Sequence, residues 1–146
     1  MPLSSTRSSR AFVLVAALFL SGILAAPAVR ADSATDCFGE DIERRITGCT
    51  ELIEKPDGNS DVSLAYAMRA LAYSLKGQYD TAVRDYDVAI EMRPDFAVAL
   101  NNRAWAYYKW GKIDLAMPDV EKSLELNPTS PHTLDTRAHI HQSKGN

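Results

Sequence analysis

Few side chains in this sequence are suited to acid–base or nucleophilic chemistry. The histidines are His132, His139 and His141, and the cysteines are Cys37 and Cys49. An enzyme site needs a nucleophile, a base within its reach and a group that orients the base. On a helix His139 and His141 diverge, while His132 and His139 share a face but stand two turns apart. No HExxH pair, glycine-rich phosphate loop or nucleophile motif is present. Eleven residues separate the cysteines, which is not the CxxC spacing of redox enzymes. The expectation is therefore a non-enzyme with no catalytic residues, no cofactor and no metal; metal binding through His132 and His139 is a remote alternative. Recognition remains. "NNRAWAYYKWGK", residues 101–112, gathers two Trp, two Tyr, two Asn and three basic residues. Trp and Tyr offer large rigid contact areas, and an Asn amide can hold a peptide backbone by two hydrogen bonds. Whether these side chains line a site or fill a core depends on the helix faces they occupy.

The chain has 146 residues, enough for one small domain and a leader. "MPLSSTRSSR" carries Arg7 and Arg10 and no acid, "AFVLVAALFLSGILAA" is apolar, and "PAVRA" sets small residues at Val29 and Ala31. This is the layout of a secretory signal peptide over residues 1–31, with cleavage after Ala31. The alternative is an uncleaved anchor, but the apolar stretch falls short of the ~20 residues a spanning helix needs. Without residues 1–31 the chain keeps 13 basic and 19 acidic residues, a net charge of −6. An acidic surface argues against nucleic acid as a partner. With no second long apolar run, the mature form has no membrane segment. An exported chain, expected in the periplasm, meets oxidising conditions, and an even cysteine count favours a Cys37–Cys49 disulfide. A loop this short would stabilise the fold by roughly 2–3 kcal/mol. Unpaired or intermolecular thiols are the alternative.

The strongest pattern is internal. "RALAY" at 69–73 returns as "RAWAY" at 103–107, and "RAHIH" follows at 137–141. Laying 63–96 on 97–130 gives 11 identities in 34 positions, among them Arg69, Ala70, Tyr73, Gly77, Asp80, Asp85 and Pro94 with their counterparts. A fixed period of this length means stacked repeats. Each repeat reads as two helices: one ends at Gly77 or Gly111, and the next starts at Asp80 or Asp114 as N-cap and stops before Pro94 or Pro128. Residues 131–146 add a trailing capping helix. Residues 32–62 supply a leading Cys-containing capping helix, with Ile42, Ile46, Cys49, Leu52 and Ile53 on its apolar side, and a turn-rich linker. The count is six helices, with 63–96 and 97–130 as the two full repeats. On the trailing helix His132, Asp135, Thr136 and Gln142 suit a face turned to water.

These residues resemble the tetratricopeptide repeat. Its pattern of bulky, small and aromatic positions falls on Tyr66, Ala70, Tyr73, Ala82, Tyr86, Ala89 and Pro94, then on Leu100, Ala104, Tyr107, Ala116, Val120, Ser123 and Pro128. The start "DCFGEDIERRITGCTELI" also resembles exported bacterial proteins of this class, more loosely. The resemblance implies an all-α fold, a short right-handed α-solenoid of antiparallel helix pairs. It departs from the family at Arg69, Arg103 and Arg137, where Leu is common. Asp85 and Asp119 lie sixteen residues after the first two, so each Arg is expected to pair with its Asp as a partly exposed link of about 0–1 kcal/mol. Pro118 is a second departure. It is expected to loosen the first turn of its helix, with fast amide exchange at 114–118.

In this family the first helix of each repeat lines a concave groove. Carried over by position, that groove takes Leu64, Met68, Leu71 and Leu75 from the first repeat. It takes Val98, Asn101, Asn102, Trp105, Tyr108 and Lys109 from the second, and His132, Asp135, Thr136 and His139 from the trailing helix. Tyr107 instead packs between helices. An apolar strip beside an aromatic and amide patch suits an extended peptide or a partner helix. The resemblance thus implies a scaffold or adaptor that binds another protein. A known subtype grips C-terminal carboxylates with Lys, Asn and Arg. Here Asn102 matches the central Asn, but Ala67, Leu71, His132 and Thr136 supply no fixed positive charge, so no such clamp is expected. The competing expectations are that the groove residues only fill the inner curve, or that the chain forms a homodimer through its last helix.

Overall fold

A computed structural model describes residues 32–56 and 58–145. The expected signal segment and the cleavage point at Ala31 lie outside the described residues. Among those described, the chain is all-α. Its helices are α1 (Ser33–Phe38), α2 (Ile42–Glu54), α3 (Val62–Leu75), α4 (Tyr79–Met92), α5 (Ala97–Lys109), α6 (Ile113–Leu126) and α7 (Pro131–Lys144). Each packs on the next. The odd-numbered helices also touch one another in series, and the even-numbered ones do not. A stack that closes up on one side curves toward that side, so the odd helices form the concave layer of a short solenoid.

Small residues make the close packing possible. Ala70, Ala82 and Ala89 are fully buried around Tyr86, and Ala104 and Ala116 around Val120 and Ile140. Tyr107 packs against both clusters. Between paired helices the chain reverses at Gly77 and Gly111, whose φ angles are 75° and 78°. Both are Schellman turns. Gln78 N–H bonds the Tyr73 carbonyl and Gly77 N–H that of Ser74, and the Lys112 and Gly111 amides repeat the pattern.

These turns correct the expected caps. α4 and α6 begin at Tyr79 and Ile113, so Gln78 and Lys112 are the N-caps and neither makes a side-chain cap bond. Asp80 and Asp114 sit one residue inside their helices, where Asp80 pairs with Arg84 at 3.4 Å and Asp114 with Lys144 at 2.8 Å. The glycine turn, not the carboxylate, sets where the second helix starts. Pro118 then falls at the sixth helical position, and α6 runs on through it. Its missing amide leaves the Asp114 carbonyl without the usual i+4 donor. α4 opens with Ala82 N–H on the Gln78 carbonyl, whereas the Leu115 N–H reaches the Lys112 carbonyl three residues back. The amide of Ala116, which lacks the bond that Ala82 N–H makes in α4, should therefore exchange faster than that of Ala82; equal protection in a hydrogen-exchange experiment would contradict this.

The leading segment holds two helices, so the described residues contain seven rather than six. Asp32 caps the short α1, and Cys37–Cys49 ties it to α2. The two cross at Gly48, where an added Cβ would lie 2.6 Å from the Cys37 nitrogen and the Ser33 carbonyl oxygen. This approach rolls α2 so that Arg45, Gly48, Cys49 and Leu52 face inward, while Ile42, Ile46 and Ile53 are only half-buried. Arg45 Nε donates to the Gly39 carbonyl at 3.0 Å and closes the turn between them. In the 34-residue register Gly48, Glu51 and Leu52 stand where α4 has Ala82, Asp85 and Tyr86. Ser33 Oγ donates to Glu51 Oε2 at 2.5 Å, as Arg69 donates to Asp85. α1–α2 is a shortened copy of the same hairpin.

The Arg–Asp links form, but they are far less exposed than their surface reading implies. Arg69 Nε and Nη2 bond the two carboxylate oxygens of Asp85 at 2.7 and 2.8 Å, and Arg103 holds Asp119 likewise at 2.7 and 2.6 Å. The Asp side chains are only 11% and 9% exposed. Each Arg also reaches the preceding pair: Arg69 Nη1 to Thr50 Oγ1 at 3.0 Å, and Arg103 Nη1 to Asp87 Oδ1 at 2.7 Å. For Arg69 the Asp85 hydrogen bond raises the pKa above its ordinary value. For Arg103 burial opposes the charge, but Asp119 and Asp87 together hold the pKa higher still. Among the described residues Arg137 has no ion-pair partner.

α7 also departs from expectation. Thr136 is buried with Thr133 and Ile140, facing the stack rather than water. The exposed side carries Leu134, Arg137, Ala138 and His141.

Candidate functional site

On the concave side, residues of α5 and α7 meet. The Trp105 ring centroid lies 5.2 Å from that of Tyr108 and 5.5 Å from that of His139, with Tyr108 and His139 6.0 Å apart. Lys109 Nζ stands 5.8 Å from the Trp105 centroid, and Asp135 lies 3.7 Å from His139 Nε2. Beside this aromatic cluster runs an open trough of about 210 Å³, walled by Asn101, Asn102, Trp105, His132, Asp135 and Thr136. Each of these side chains comes from an odd helix, and the i, i+3, i+4 spacing sets them on one face. A smaller hollow of about 90 Å³ adjoins it where α5 begins, α6 ends and α7 begins.

A third polar spot lies under the groove. Tyr86 OH and Ser74 Oγ are buried and complete no hydrogen bond. Burial pushes the Tyr86 phenol well above its ordinary pKa; Ser74 and Asn102 lie close enough to oppose that shift without reaching hydrogen-bond geometry.

The sequence matches the tetratricopeptide repeat model over residues 97–130 and a second TPR repeat model over 70–111. The first TPR domain of Spaghetti (RPAP3), solved with the HSP90 peptide SRMEEVD, has the same fold. Its TM-score is 0.66 at 22% identity, over 72% of this chain and 81% of that one. The second TPR domain of human RPAP3, solved with the HSP70 peptide SGPTIEEVD, gives a TM-score of 0.61 at 30% identity, over 68% of this chain and 80% of that one. The chain belongs to the tetratricopeptide repeat family. No curated protein matches it significantly.

As a tetratricopeptide repeat protein it has its inner face on α3, α5 and α7. The structure gathers Asn101, Asn102, Trp105, Tyr108, Lys109, His132, Asp135, Thr136 and His139 into one patch. Val98 walls the smaller hollow and is 62% exposed. The first-repeat residues stand apart from it. Met68 packs against the cluster of Cys37, Cys49, Leu52 and Ala65, Leu64 and Leu71 are half-buried, and Leu75 is exposed. α1 accounts for this: the docked leading pair takes up the side of Met68 that a groove would need.

Sequence reasoning missed the walls of the smaller hollow, Ser123, Asn127, Ser130 and Thr133. One signal was available. Ser123 occupies the small-residue position held by Ala89 in the first repeat, and its extra hydroxyl donates to the Ala97 carbonyl at 2.9 Å.

Proposed function

We propose that this tetratricopeptide repeat domain is a non-catalytic adaptor that takes an extended peptide or a partner helix of another protein in the trough between α5 and α7. The observation that carries the reading is the patch of Trp105, Tyr108 and His139 beside Asn101 and Asn102, open on the concave face. Aromatic anchors beside amides make a contact surface rich in area and hydrogen bonds. Two proteins of the same fold hold HSP90 and HSP70 peptides, which supports a peptide as the occupant. Those peptides carry acidic residues, whereas the trough here has Asp135 and no Lys or Arg on its wall.

The adaptor acts in the cell envelope on this reading. The basic-then-apolar start of the sequence and the buried Cys37–Cys49 disulfide support export, since disulfides persist in oxidising compartments. The protein isolated from its own compartment should begin at Asp32.

The groove is tested by crosslinking the tagged protein in that compartment, wild type beside a Trp105→Ala/Tyr108→Ala variant that keeps its helical circular dichroism. A partner captured by the wild type and lost from the variant is the expected result. An identical captured set from both would make these aromatics core filling.

Self-association through α7 is a second reading, favoured by one observation. Leu134, Arg137, Ala138 and His141 are exposed, while their register counterparts in α5, Leu100, Arg103, Ala104 and Tyr107, pack in the helix stack. A sedimentation coefficient that rises with concentration and is flattened by Arg137→Glu would support it; a monomer at high concentration would remove it.

A further inference from the structure

The trough between α5 and α7 carries a sign of charge. Its walls are Asn101, Asn102, Trp105, His132, Asp135 and Thr136, and Asp135 is the one fixed charge among them. The adjoining hollow has no Asp, Glu, Lys or Arg on its walls. The Asp135 side chain is 71% exposed, so a ligand in the trough can reach it. The fold makes little use of this carboxylate. Its partner His139 Nε2 stands 3.7 Å away, too far for a hydrogen bond, and pairs with it only when protonated. The repeat does not require it either, because the same register seat holds Asn101 in α5 and Ala67 in α3.

The other walls suit the same kind of ligand. Trp105 brings an indole π-system, which attracts a cation within about 6 Å of its centre. Lys109 Nζ stands 5.8 Å from that ring, but Lys109 is not a wall of the trough. The chain makes this contact elsewhere, with Arg93 4.4 Å from the Phe96 centroid and Lys112 3.5 Å from that of Trp110. The Asn102 amide and the His132 ring offer acceptors for further N–H groups. At about 210 Å³ the trough is many times the ~10–15 Å³ that one water needs, so the head of a long side chain can enter. A carboxylate would meet Asp135 with no Lys or Arg on the wall to offset it. An apolar side chain would leave the carboxylate and the amides unused.

We infer that the trough selects basic peptides, with Asp135 and Trp105 together holding the side chain of an arginine or lysine. This rests on the trough reading above and names its ligand, which is opposite in sign to the acidic ends of the peptides SRMEEVD and SGPTIEEVD held by the two proteins of the same fold.

The test uses pools of acetylated, amidated heptapeptides with uncharged randomised flanks and a central Arg, Lys, Gln, Leu or Glu. Each pool is presented to the wild-type protein, Asp135→Asn, Asp135→Lys and Trp105→Ala at about pH 8, where free imidazole is neutral. The wild type should retain the Arg and Lys pools about fivefold over the Gln and Leu pools, the scale of one exposed ion pair with a cation–π contact, and the Glu pool least. Asp135→Asn keeps the shape without the charge and should retain all pools about equally. Asp135→Lys should prefer the Glu pool, a reversal that a merely structural residue would not produce. Salt at about 0.5 M should shrink the wild-type preference, because the pair is exposed. A preference for Arg and Lys that persists in Asp135→Asn would take the selectivity away from this carboxylate and overturn the inference. Equal retention of all pools by the wild type, abolished by Trp105→Ala, would keep the trough reading and overturn the inference alone. Retention of none would overturn both.

Discussion

Arg103→Leu should cost about 3 kcal/mol of stability, the scale for removing one partner of a largely buried, hydrogen-bonded ion pair. Asp119 is then left 9% exposed at its side chain without the guanidinium that matched both its oxygens. For a domain of this size the loss lowers the melting temperature by on the order of 10–20 °C. The separate bond to Asp87 adds little, because that carboxylate is 51% exposed and water replaces the contact. The double variant Arg103→Leu/Asp119→Leu separates the pair's net worth from the penalty of orphaning one member. It should recover much of the loss, since replacing both charges by apolar groups is often close to neutral. Thermal unfolding followed by circular dichroism reads both. A single variant within two or three degrees of wild type would show that solvent reaches the pair and that the small surface value applies after all.

The second large effect belongs to the leading hairpin. Cys37→Ser/Cys49→Ser should cost about 3 kcal/mol, the scale for opening a loop of this length. Most of the loss falls on α1. Six residues are too few to hold a helix in water, so α1 depends on its covalent tie and on its seat against Gly48. Freed, it should leave that seat and expose Met68 and Leu52, which pack around the cysteines. Gly48→Ala should unseat α1 with the disulfide intact, because the new methyl meets backbone atoms that cannot yield. Limited proteolysis is the measurement: cleavage within 33–41 in both variants and protection in the wild type. Protection in both would mean that α1 is held by contacts beyond these two.

What the sequence disclosed and what it hid follow from the range of the forces involved. The period of 34 was legible because Ala70, Ala82, Gly77 and their counterparts answer to local geometry repeated twice. The pairing of Arg69 with Asp85 was legible from spacing alone. Its burial was not, since it depends on Thr50 and Tyr66 closing over the guanidinium from other positions in the chain. α1 left no periodic trace, being under two turns long, and the hints of its docking were the cysteine pair and a glycine where the repeats have alanine. Asp80 and Asp114 looked like caps because their residue type suits capping, but the left-handed glycines before them had already fixed the register. At the groove, the meeting of Trp105, Tyr108 and His139 followed from family positions on two helices. The hollow beside Asn101 did not, because it forms where the ends of three helices converge.

The three-way reach of the arginines bears on how the molecule comes apart. A stack of repeats held only by contacts between neighbours can fray one unit at a time from its ends. Here Arg69 binds α3 to both α4 and α2, and Arg103 binds α5 to both α6 and α4. The bond to Asp87 is half exposed and adds little, so the coupling is strongest through Arg69, whose loss weakens two interfaces at once and makes α2, α3 and α4 gain or lose structure together. α7, whose Arg137 makes no such bond with a described residue, is the full-length helix expected to detach and return most readily while the rest stays folded.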